Sequence, residues 1–278
     1  MKSLAPILTL LPLLTQATPH HGGCSSSSSP CANITCAAPG AAHIIVTRGS
    51  TESIGGGILD PVASAIAAAC PGSSIAANPY PALLDPYVAS ETAGLGNLTQ
   101  MALDYRSCCG GGDGHGQKGP AGKMVFLGYS QGAQVTADFL CGRSEAGFGA
   151  TAAYAADVAD DVAAIAIVGD PSFVKGLPWD RGNASNGSSE QNNLLTLRGD
   201  TRPARTQQFF PRLDNAACLP VADKMISYCD GGDYFCDNGT SSDALAIHEG
   251  YAQKYGAQIV DYVVGKIEGC GADGGERW

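Results

Sequence analysis

Basic charge is scarce in this sequence: Lys and Arg number 16 against 26 Asp and Glu, for a formal net charge of −10. That balance excludes the positive footprint that nucleic acid or an anionic membrane surface requires. Charged residues of both signs make up only 15%, while apolar ones reach 44%. The body of the chain is therefore not a disordered, solvated polymer. No apolar run extends to about 18 residues, so no membrane span is expected in the mature protein. Internal repeats are absent. No Cys–His spacing resembles a zinc site, and neither a metal nor another cofactor is expected. Cysteine is the exception to these shortages, with 11 among 278 residues.

The first residues account for the cysteines. Met1-Lys2 supplies a positive charge, Leu4 to Leu14 is a short apolar run, and Thr15-Gln16-Ala17 closes it with small residues. This pattern predicts a secretory signal peptide over residues 1–17 and hence a secreted, extracellular protein. All the cysteines follow the cut, so disulfides are expected, and the odd count leaves one thiol free or paired with another molecule. Five Asn-x-Ser/Thr triplets, at Asn33, Asn97, Asn183, Asn186 and Asn238, fit a secreted glycoprotein. Residues 18–35, with His20-His21 and the Ser25 to Ser29 run, read as a flexible segment, and 269–278 as a tail.

Between these ends the chain alternates. Strands are predicted at His43–Thr47, Ser74–Ala77, Met124–Leu127, Ala163–Val168 and Lys224–Tyr228. Helices are predicted at about 56–69, 87–105, 131–140 and 251–267. The stretches 110–122 and 180–193 read as surface loops. Continuous apolar strands separated by helices imply a parallel sheet covered on both faces. The expected fold class is α/β: one domain, a three-layer sandwich of the α/β-hydrolase type with a central, mainly parallel sheet.

Gly128-Tyr129-Ser130-Gln131-Gly132 follows the strongest strand and opens a helix. That context predicts a sharp elbow with Ser130 as nucleophile, its flanking positions small because the turn allows nothing larger. The backbone NH of Gln131 would sit at a helix start, ready to stabilise an oxyanion. In this fold the acid and then the histidine follow the serine, and His248 alone satisfies that order. It lies just ahead of the last helix, where a loop could present it to the sheet. Asp230, Asp233, Asp237 and Asp243 are candidates for the acid. A bridge between Cys229 and Cys236 would hold an aspartate rigidly between them, which leaves Asp230 and Asp233. A second oxyanion donor is expected in the loop after the first strand, Thr47-Arg48-Gly49-Ser50-Thr51-Glu52.

Arg48-Gly49-Ser50-Thr51-Glu52, Gly128-Tyr129-Ser130-Gln131-Gly132, Gly169-Asp170-Pro171, Cys229 to Cys236 and His248-x-Gly250-Tyr251 follow one another in this order. Together they resemble the fungal cutinase and acetylxylan esterase family of small secreted serine esterases, over about residues 36–268. The resemblance implies a catalytic esterase domain there, with a triad of Ser130, Asp233 and His248 and oxyanion donation by Ser50 and the Gln131 NH. It implies disulfides Cys229–Cys236 and Cys141–Cys218, and a pairing of Cys36 with Cys108 or Cys109. The implied substrate is an ester on plant cell-wall polysaccharide, acetylated xylan first, or a polyester such as cutin. A non-catalytic binding protein on the same fold is the reading from a different class. A monomer is expected. Phe235, beside the acid, and Glu249, beside the histidine, favour a short acyl group, the carboxylate because burying it is costly. Leu245 and Ile247 could line an apolar wall and favour a longer one.

Overall fold

The structure, a computed structural model, describes residues 31–110, 121–184 and 210–270. The expected signal peptide, the His20-His21 and Ser-rich segment, Cys24, Asn186, most of the two long loops and the last eight residues lie outside these.

Six strands form one sheet. They are β1 (Ala42–Thr47), β2 (Ser74–Ala77), β3 (Lys123–Tyr129), β4 (Val162–Val168), β5 (Asp180–Arg181) and β6 (Met225–Tyr228). Their order is β2-β1-β3-β4-β6-β5 and every pairing is parallel. Among the described residues six α-helices accompany them: α1 (Asp60–Ala69), α2 (Tyr87–Cys109), α3 (Gln131–Cys141), α4 (Ala155–Val158), α5 (Ala244–Glu249) and α6 (Tyr251–Lys266). The five expected strands and four expected helices are all present. β5 differs from expectation. Asp180-Arg181 pairs with Ser227 and Tyr228 at the sheet edge, where a surface loop was expected.

The period-2 alternation of the strands divides the core in two. Ile45, Met124, Phe126, Ile165 and Ile167 face α2 and α3, packing on Leu95, Leu98, Val135 and Phe139. Ile44, Val46, Val125, Leu127 and Ile226 face α1 and α6, packing on Val62, Ile66, Ile259 and Val263. The three-layer α/β sandwich follows from strands apolar on both faces, which only a parallel sheet with helices on each side can bury. Strand order reverses direction between β1 and β3, so the loops leaving these two strands diverge there and open a crevice at their carboxyl ends.

Among the described residues five disulfides tie the layers: Cys31–Cys108, Cys36–Cys109, Cys70–Cys270, Cys141–Cys218 and Cys229–Cys236. The expected pairs Cys141–Cys218 and Cys229–Cys236 are among them, and of the two partners left open for Cys36 the structure has Cys109. The adjacent pair at the end of α2 is fully used, each cysteine holding a different point of the N-terminal segment.

His43 carries a pH-dependent part of the stability. Its ring stacks on Tyr105 at a centroid distance of 4.1 Å, and its Nδ1 is 2.7 Å from the Ser74 hydroxyl. Burial lowers its pKa from 6.5 to about 4. Folding therefore favours the neutral ring. The contribution is complete above about pH 6.5 and is lost as pH falls towards 4, on the order of 3 kcal/mol in all. His43→Phe keeps an aromatic ring against Tyr105 but cannot titrate. In urea unfolding, the wild type should lose stability relative to this variant between pH 6.5 and 4. A constant difference would show that His43 does not supply the acid sensitivity.

Candidate active site

Ser130 sits between β3 and α3 with φ 52° and ψ −121°, a conformation that L-residues avoid. Such a residue costs on the order of 1–3 kcal/mol and persists only where its surroundings enforce it. They do so here. The Ser130 NH donates to the Val168 carbonyl on β4 at 3.0 Å, and the Ser130 carbonyl accepts from Ala133 and Gln134, starting α3. Both flanking glycines are required by contact. A Cβ at Gly128 would lie 2.7 Å from the Gly132 carbonyl oxygen and 2.8 Å from the Thr136 hydroxyl. A Cβ at Gly132 would overlap the Thr47 carbonyl at the end of β1.

His248 Nε2 is 2.8 Å from Ser130 Oγ, and its Nδ1 is 2.8 Å from Asp233 Oδ2. All three residues are buried or nearly so. Contrary to expectation, no loop carries the histidine: it lies in α5, a six-residue helix ending at Glu249. Its ring packs between Phe235, at a centroid distance of 4.5 Å, and Tyr129, at 5.1 Å. Behind it stands Gly169, at φ +64°, where a Cβ would come within 2.8 Å of the ring. Gly169 is a functional position for which the sequence offered only its place in a shared motif, because a close approach is invisible until the ring is placed.

The Cys229–Cys236 loop separates the two candidate aspartates. Asp233 Oδ1 accepts the NH groups of Phe235 and Cys236 at 2.7 and 2.9 Å, leaving Oδ2 for the imidazole. Burial pushes this carboxyl up, but the His248 hydrogen bond and charge, together with the Cys236 NH, outweigh it and hold it below its ordinary value. Asp230 turns the other way. It accepts from Lys254 Nζ at 2.6 Å and Tyr255 OH at 2.7 Å, which anchors the loop to α6.

The loop after β1 lies directly against the elbow. A Cβ on Gly49 would meet the Tyr129 ring at 2.6 Å and Ser130 Cβ at 3.3 Å. Glu52 clamps the loop by accepting the Gly49 and Ile58 NH groups, both at 2.7 Å. Arg48 donates to the carbonyls of Glu52, Asn78 and Tyr80, and the Tyr80 hydroxyl returns a bond to the Arg48 carbonyl at 2.6 Å. Ser50 Oγ is out of solvent and has no hydrogen-bond partner among the described residues. The NH of Gln131, first in α3, has no carbonyl four residues back within the helix. Its side chain is pinned elsewhere, accepting from Ser90 Oγ and donating to the Leu83 carbonyl, both at 3.0 Å. Glu52 and Gly49 gave no sequence signal of their own beyond belonging to this loop.

Of the four residues expected beside the acyl group, Phe235 packs on the imidazole and Ile247 is half-buried. Leu245 is 52% exposed. Glu249 is also exposed, so its carboxylate stays solvated and the burial cost argued against a long acyl chain does not arise.

A parallel sheet with a strained serine after its third strand, hydrogen-bonded to a histidine and through it to an aspartate, defines an α/β hydrolase. The comparisons with known proteins narrow this class. The family model described as Cutinase matches residues 37–267, and the chain belongs to that family of carboxylic ester hydrolases. Acetylxylan esterase 2 of Talaromyces purpureogenus is 30% identical over 237 residues, covering 82% of this chain and 87% of that protein. Cutinase 11 of Verticillium dahliae is 26% identical over 233 residues, covering 83% and 70%. An acetylxylan esterase structure at 0.90 Å superposes with a TM-score of 0.62 at 29% identity, covering 84% of this chain and all of that one.

Proposed function

We propose that this esterase is secreted and removes short acyl groups, acetyl first, from plant cell-wall polysaccharide by acyl transfer through Ser130. The continuous chain of hydrogen bonds from Asp233 through His248 to Ser130 carries the reading. His248 takes the serine proton as Oγ attacks the ester carbonyl, and Asp233 holds the imidazole with its Nδ1 proton in place. The Gln131 NH and the unpartnered Ser50 hydroxyl receive the oxyanion. The tetrahedral intermediate collapses by expelling the alcohol, which takes its proton from His248. Water, activated by the same ring, then releases the acid from the acyl-enzyme. The extracellular setting is supported by the five disulfides, which an oxidising compartment sustains.

The acyl preference rests on Phe235, whose ring lies against the imidazole beside the reacting serine. Each methylene accepted by an apolar pocket is worth about 0.8 kcal/mol, so the preference is graded. With p-nitrophenyl esters, kcat/KM should fall from acetate or butyrate towards longer chains, and Phe235→Val should move the optimum longer. A wild-type optimum at octanoate, or a variant with an unchanged profile, would discard the short-acyl reading.

A polyester such as cutin is the second reading, and a specific observation favours it. Ile54, Leu83, Leu84, Val88 and Leu245 are all more than 40% exposed. In the chain Ile54 lies two residues after Glu52, the Leu83 carbonyl accepts from the Gln131 side chain, and Leu245 lies three residues before His248; exposed apolar side chains so placed suit an insoluble surface. Acetate release from acetylxylan, compared with monomer release from a polyester film, decides between the two.

A further inference from the structure

Behind the site lies a charge cluster that is almost wholly buried and badly unbalanced. Four carboxylates, Glu91, Asp138, Glu145 and Asp170, share two guanidinium groups, Arg143 and Arg212. Arg212 donates to Asp138 Oδ1 through Nε at 3.0 Å and Nη2 at 2.7 Å. It also lies 3.1 Å from Glu145 and 3.4 Å from Asp170. Arg143 pairs with Glu91 Oε2 at 2.6 Å. Fully ionised, this group would carry two uncompensated negative charges in a dry interior, a cost that proteins avoid by keeping a proton.

The oxygens identify where a proton belongs. Glu91 Oε1 and Asp138 Oδ2 are each buried without a hydrogen-bond partner, Glu145 Oε1 has only the Arg212 guanidinium at 3.1 Å beside it, and an ionised carboxylate can only accept. Asp138 on α3 lies within hydrogen-bonding reach of both Glu91 on α2 and Glu145 in the following loop. It is the one acid placed to bridge the other two. We propose that Asp138 stays protonated through the neutral range, and that its shared proton locks the cluster that fixes the turn behind His248.

Burial raises the Asp138 carboxyl well above the ordinary range, and Glu145 and Glu91 add to this against the pull of Arg212. Glu145 is the ionised partner. Burial pushes it up, but Arg212 and the hydrogen bond from Asp138 bring it below its usual value. Tyr87 on α2 also faces the group, and its hydroxyl donates to Gln134 at 2.8 Å. Tyr87, Phe148 and Phe210 pack together above the cluster, with the Arg143 guanidinium 5.9 Å from the Phe148 ring centre. These rings keep water from the carboxyls. The functional link runs through Asp170, which Arg212 binds and which directly follows Gly169, the residue touching the imidazole.

Asp138→Asn imitates the protonated acid and keeps a carbonyl oxygen for Arg212. A carboxyl protonated in the folded state but ionised in the unfolded one weakens folding as pH rises above about 4, and the amide escapes this. Between pH 5 and 8, Asp138→Asn should therefore gain on the wild type by up to about tenfold in the folding equilibrium per pH unit. Glu145→Gln, which removes the anion that Arg212 needs, should lose stability throughout. Chemical denaturation of the full chain across this range reads both. Infrared difference spectra of the wild type at pH 7 should also show the C=O stretch of a buried protonated carboxyl. A pH-independent penalty for Asp138→Asn, a gain for Glu145→Gln instead, or no protonated carboxyl in the wild type would overturn the proposal. The infrared arm stands even if a variant fails to fold, and neither arm depends on which ester is cleaved.

Discussion

Ser130→Ala should lower kcat about a million-fold, the scale measured when the triad serine of subtilisin is removed. Among the described residues the hydroxyl makes a single hydrogen bond, to His248 Nε2, so little else is lost with it. Alanine also has a Cβ, and the strain at φ 52° is the same in both proteins. Thermal unfolding should accordingly stay within about 1 kcal/mol of the wild type, the net worth of one hydrogen bond. The assay is p-nitrophenyl acetate hydrolysis at saturation, with circular dichroism to verify the fold. Ordinary turnover by the alanine variant would remove Ser130 from the chemistry altogether.

Asp233→Asn should cost about 10⁴ in kcat, the loss known from the corresponding change in trypsin. The reason lies in how the carboxylate is bound. Oδ1 is fixed by accepting from two backbone NH groups, those of Phe235 and Cys236, and these donors require an oxygen in that place. An asparagine must then turn its NH₂ towards His248 Nδ1. The imidazole answers by accepting at Nδ1 and carrying its proton on Nε2, where it can no longer take one from Ser130. KM should change little, because no substrate contact is removed. The falling pH–rate limb on the acid side should also change, since the lowered Asp233 pKa keeps the wild-type carboxylate charged well into acid. Its stabilising contribution is lost only as pH falls through that lowered value. A variant with near-normal kcat would mean that Asp233 does not set the tautomer.

The sheet was legible because its central strands are buried on both faces and so read as unbroken apolar runs, as in Met124 to Leu127 and Ala163 to Val168. Ser130 was legible because strand, small residues and helix coincide around it, and His248 because chain order left no rival. Short elements were not. The six residues of α5 span too few turns to show a helical period, and β5 is two polar residues held by a neighbouring strand. Asp230 and Asp233 differ only in the direction they face, which Lys254, Tyr255 and the two loop NH groups decide. The buried charge cluster was invisible for a different reason. Its members run from Glu91 to Arg212, and each alone looks like an ordinary surface residue.

The disulfides, taken together, also alter what a broken backbone would mean. The loop closed by Cys31–Cys108 overlaps the one closed by Cys70–Cys270. Every peptide bond between Cys31 and Cys270 therefore lies inside at least one covalent ring. A protease that cuts this stretch once cannot release a fragment, for the two pieces stay joined through sulfur until a reductant reaches them. The enzyme can thus be nicked once in an exposed loop and keep Ser130, Asp233 and His248 in a single molecule.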